Sequence, residues 1–124
     1  MSAISCALGI VFVLAIAALH ISGFGEFTSQ MNASNASDFL KDMFPILYIM
    51  PSLYLCALAI FGMLALAMPA MRKPICLILS VAVFSCGALA LLLNEWIPVV
   101  VMGAGALLFL AAAFTTTAGQ SEPR

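Results

Sequence analysis

His20 and Glu95 are the side chains best suited to hold a ligand, and each stands at the end of a long apolar run. An imidazole facing a carboxylate forms a coupled pair. With Tyr48 they make a candidate outer-leaflet polar cluster able to take a metal, a quinone head group or a small substrate. His20 with Met50 or Met102 would offer a ligand set for haem or copper. A histidine at a helix end more commonly just meets the membrane interface, so no cofactor and no metal is expected.

The four cysteines, Cys6, Cys56, Cys76 and Cys86, form no C-x-x-C pair and all fall within apolar runs. They read as small buried apolar residues. The eight methionines are scattered rather than arranged in M-x-x-M repeats. Adaptable packing explains them.

Four apolar runs must position these residues. Of the 124 residues, 65% are hydrophobic and only 7% charged. A soluble domain is about one quarter charged, so this chain suits lipid rather than water. The expected fold is an all-α, four-helix transmembrane bundle forming one integral membrane domain over residues 1–124. Its spans are expected at 3–22, 44–69, 74–93 and 97–115, with a polar tail at 116–124. Each run is close to the roughly 20 residues that cross a hydrocarbon core. Strict apolar–polar alternation is absent, which argues against a barrel. We read no internal repeat.

Punctuation agrees with this division. Gly23 and Gly25 end the first run, and Pro69 and Pro74 flank Arg72 and Lys73 in the turn between the second and third. Pro98 suits the first turn of the fourth helix, where its missing N–H is not needed. Pro51 removes a hydrogen bond to Leu47 and is expected to kink the second span. Glu26 to Asp42 is the one substantial loop. Ser37 or Asp38 is placed to cap a short interfacial helix carrying Phe39, Leu40, Met43 and Phe44. The alternative is an early start of the second span. The sequons at Asn32 and Asn35 read as small polar loop residues.

Arg72 and Lys73 set the expected orientation. The positive-inside rule puts their turn, and with it both termini, in the cytoplasm. The first run lacks a basic n-region and a cleavage site, so it reads as an uncleaved span. The alanine-rich, loop-poor chain looks like a bacterial inner-membrane protein.

The charges also limit function. A net charge of −1 gives no attraction for nucleic acid. No Asp, Glu, Lys or Arg lies mid-membrane, whereas ion-coupled transport normally needs such a group. The plan resembles the small multidrug-resistance transporters in helix number and length, but the glutamate of their first helix has no equivalent here. No enzyme motif is present.

Helix contacts have clearer support. Small residues let helices approach closely in lipid, and Gly103, Gly105, Ala82 and Cys86 are the candidate helix-packing positions. The expected partners are the lipid bilayer and other membrane subunits or a second copy. The leading expectation is a structural or accessory subunit of a larger membrane complex. The alternative is a small-molecule or lipid carrier with an outer-leaflet pocket around His20, Tyr48 and Glu95.

Overall fold

Lipid offers no water to backbone N–H and C=O groups, so long apolar runs satisfy them internally as helices. The computed structural model describes residues 2–115. Its elements are α1 (Ser2–Ser22), α2 (Phe24–Ala33), α3 (Asp38–Ala67), a 3-10 turn (Pro69–Met71), α4 (Arg72–Leu92) and α5 (Trp96–Thr115). There is no strand among the described residues. Four helices are long and apolar enough to cross a membrane, the first formed by α1 running on into α2. The chain is a multi-pass, all-α membrane bundle. The expected polar tail at 116–124 lies outside the described residues.

α1 packs against α3 and α5, and α4 packs against the same two helices. α1 and α4 therefore stand diagonally across the bundle. They nevertheless meet at one end, where Arg72 Nη1 donates to Ser2 Oγ at 3.2 Å and the sulfurs of Cys6 and Cys76 lie 3.8 Å apart. Each pair is 70 residues apart in sequence, so α1 and α4 run parallel.

The same register continues along both helices. Gly9, Ile10, Val13 and Ala17 are buried in α1, and Leu79, Ser80, Val83 and Gly87 are buried at the corresponding places in α4. α3 and α5 follow suit when aligned on Pro51 and Pro98. Leu55 then corresponds to Met102, Leu58 to Gly105, Ala59 to Ala106 and Gly62 to Phe109, and all are buried. Two helical hairpins thus share one burial pattern. The sequence itself shows no repeat. What recurs is which positions face inward.

The correspondence breaks at one pair of positions. Phe109 is large and fully buried, and its counterpart is Gly62. The Phe109 ring also lies over Gly9, where an added Cβ would come 3.0 Å from Cζ.

The surface is inverted relative to a soluble protein. Ile78, Val81, Phe84, Leu89 and Leu92 project outward from α4, while Ser52 and Ser80 are buried. Each buried hydroxyl donates to a carbonyl of a neighbouring helix: Ser52 to Ala17 and Ser80 to Ala106. In lipid these bonds and close contacts hold helices together, since apolar surface gains little by leaving the tails.

The long loop expected at 26–42 is mostly helical. A short extra helix does precede the second span, but it is α2, at Phe24–Ala33. Residues 39–44 are simply the early start of α3. Ser37 is the N-cap, its Oγ accepting from Leu40 N–H at 3.4 Å. α3 runs unbroken through Pro45 and Pro51.

The turn between α4 and α5 closes in a Schellman arrangement. Glu95 N–H donates to Ala90 O and Asn94 N–H to Leu91 O, both at 3.0 Å. Asn94 has φ of 60°, a left-handed conformation that asparagine tolerates.

Candidate functional site

Two polar clusters lie at opposite ends of the bundle. At the end formed by the α1–α2 junction, the helix tightens at Gly23, whose N–H reaches His20 O at 3.3 Å. The His20 carbonyl also accepts from Tyr48 Oη at 2.9 Å. In return, His20 Nε2 lies 2.9 Å from the Tyr48 carbonyl. A carbonyl can only accept, so Nε2 carries the hydrogen. The two rings stack with centroids 4.4 Å apart and 14° between planes. Phe24, Phe27 and Phe44 surround Tyr48 at 5.6–5.8 Å.

These reciprocal bonds tie α1 to α3 across 28 residues of sequence. They satisfy a carbonyl that the tightened junction would otherwise leave without a strong partner. Gly23 makes the approach possible, because a Cβ there would come 2.8 Å from Tyr48 Oη. Tyr48→Phe should cost about 1 kcal/mol of stability, the usual net worth of one hydrogen bond. Gly23→Ala should cost more, because the whole ring must move. Unfolding of both variants in mixed micelles checks that order.

His20 and Tyr48 are thus brought together, and Glu95 is not joined to them. Its side chain makes no hydrogen bond or ion pair among the described residues, while its backbone serves the α4–α5 turn. Met50 is exposed at the surface and Met102 is buried in the core. The candidate thioether ligands thus occupy different environments. No group of three His, Cys, Asp or Glu side chains placed to hold a metal occurs among the described residues.

The opposite end is organised by Arg72. Its Nε donates to Ala65 O at 3.2 Å, Nη2 to Leu66 O at 3.4 Å and Nη1 to Ser2 Oγ. One guanidinium therefore caps the last turn of α3 and pins the start of α1. A planar fork with five donors is suited to this and an ammonium is not. One turn deeper lie Cys6 and Cys76, with Cys6 Sγ donating to Gly62 O at 3.7 Å. The sequence reading treated both thiols as separate apolar residues. Their contact was foreshadowed only by the four-residue spacings Ser2–Cys6 and Arg72–Cys76, which put each pair on one helix face.

The helix-packing candidates separate in the structure. Gly105 is buried, with an added Cβ 3.6 Å from Phe12 Cβ and from Val83 Cγ1. At Gly103 a Cβ would meet nothing within 4 Å. Ala82 and Cys86 are half-buried against the core. Gly103 lies in a shallow groove between α4 and α5, of about 410 Å³, walled by Val81, Phe84, Leu107 and Leu110. Gly105 therefore builds the bundle, and Gly103 faces away from it.

No family model, no curated protein and no solved structure matches the chain.

Proposed function

We propose that the chain is a structural or accessory subunit of a larger membrane complex. The observation that carries this reading is Gly103, a small residue open to the surroundings at the floor of an apolar groove between α4 and α5. A transmembrane helix of a partner subunit can approach a glycine more closely than lipid-facing leucines allow, and such close packing is what drives association in a bilayer. The spans also carry no mid-membrane Asp, Glu, Lys or Arg, the groups an ion-coupled transporter would use. The orientation proposed with it places the Arg72 end in the cytoplasm of a bacterial inner membrane, following the positive-inside rule.

The carrier reading would need a free polar pocket. His20 and Tyr48 instead engage one another's backbone, which supports a bracing role at that end.

Two glycine variants test the subunit reading. Gly103→Leu should leave folding intact and remove the protein from its assembly. Gly105→Leu should destabilise the bundle itself, because the added side chain has Phe12 and Val83 in its path. Native mass after mild extraction from the original membrane reads the first, and unfolding of the purified chain reads the second. An assembly of unchanged mass with Gly103→Leu overturns the groove as the docking surface.

A further inference from the structure

The Cys6–Cys76 contact has a chemistry independent of the helix-docking groove. Both thiols are fully buried, at 0% exposure. They come from diagonal helices and meet between them. Two rungs are stacked there, one helical turn apart: Ser2 with Arg72, then Cys6 with Cys76. A cationic head group thus sits one helical turn from a pair of sulfurs 3.8 Å apart.

We propose that Cys6 and Cys76 form a two-thiolate site for a soft monovalent cation, Cu(I), with Arg72 as its counter-charge. With two thiolates as its only ligands Cu(I) favours a near-linear arrangement, and bonds of about 2.3 Å, the length thiolates make to zinc, then place the sulfurs about 4.6 Å apart. The observed separation of 3.8 Å is shorter, so binding requires α1 and α4 to part by somewhat under ~1 Å at this point. A disulfide would instead require the sulfurs to close to about 2.05 Å. Thiolates favour Cu(I), zinc and iron–sulfur clusters among the biological metals, and of these only Cu(I) is content with two ligands. Zinc normally takes four protein ligands in a closed site, and no group of even three such side chains occurs among the described residues.

The charges balance. Two thiols release two protons as one Cu(I) binds, leaving a bis-thiolate complex of net charge −1. An unpaired charge at this depth is costly. Arg72 supplies the compensating positive charge one turn away, already held by Ser2 and two α3 carbonyls. The Gly62 carbonyl, now accepting from the Cys6 thiol, is left to α3 alone when that proton goes.

The test uses the full chain in detergent under nitrogen, with Cys56→Ser and Cys86→Ser so that the pair holds the only thiols. Titration with Cu(I) against a chromogenic Cu(I) chelator should give one ion per chain and release of two protons per ion. X-ray absorption should show sulfur as the sole near neighbours of the metal. Cys6→Ala and Cys76→Ala should each abolish binding, and Arg72→Gln should weaken it about 10-fold, the scale of an outer-shell change. Should an alanine variant fail to fold, the absorption spectrum of the unaltered pair still decides. Absence of stoichiometric binding, or nitrogen and oxygen neighbours in place of sulfur, overturns the proposal. So does retention of binding in either folded alanine variant.

Discussion

Phe109→Ala should be among the most destabilising single substitutions in this chain, at about 3 kcal/mol. Phe109 is wholly buried, its ring fills the space left by Gly9 and it also touches the place beside Gly62, which Ile10 mainly fills. Truncating it leaves a void that neighbouring backbones cannot close. The unfolded reference in a bilayer is already solvated by lipid, so the loss is mostly dispersion and cavity rather than hydrophobic transfer. The partner substitution tests the same geometry from the other side. Gly9→Ala puts a Cβ 3.0 Å from the ring tip, and overpacking of that kind costs about 1–3 kcal/mol. In the Phe109→Ala background the added methyl enters the void, and its cost should vanish. A double-mutant cycle by unfolding in mixed micelles measures that coupling. Additive effects would show that the ring and Gly9 are not in contact.

Arg72→Ala should cost on the order of 3 kcal/mol, because three donors from one cation serve two α3 carbonyls and Ser2. The guanidinium is only part-buried, and solvent screening keeps the loss below the sum of three fully shielded bonds. Arg72→Lys separates the fork from the charge. A single ammonium keeps the positive charge that sets orientation but cannot reach three acceptors at once. It should therefore lose most of the stability while reporter fusions at the termini keep their wild-type sidedness. Stability equal to wild type with lysine would mean that charge alone holds this end together.

Four helices were legible in the sequence because the bilayer imposes a coarse rule. About 20 apolar residues without charge must span as a helix, and the runs around Val13, Leu58, Val83 and Gly105 obey it plainly. Ser37 as a cap and Pro98 in a first turn were equally readable, since each depends on neighbours within a few residues, whereas Arg72, expected in the turn, begins α4. The helix α2 was missed because Thr28, Ser29 and Asn32 carry weak helix preferences and turn chemistry. α2 packs instead against the start of α3.

What lay beyond the sequence is which face of each helix turns inward. In water, apolar residues mark the buried face, but in lipid both faces are apolar and the pattern carries little direction. Gly103 and Gly105 look alike on paper, yet one lines an outer groove and the other packs against Val83. Cys6 and Cys76, separated by 70 residues, become neighbours only once two helices are laid parallel. The burial pattern that the two hairpins share is hidden for the same reason, since residue identity does not carry it. The sequence by itself determined that this chain crosses a membrane four times. The tertiary structure decided which small residues build the bundle, where Arg72 reaches, and which thiols meet, because those outcomes depend on helix rotation, which hydropathy in a bilayer does not encode.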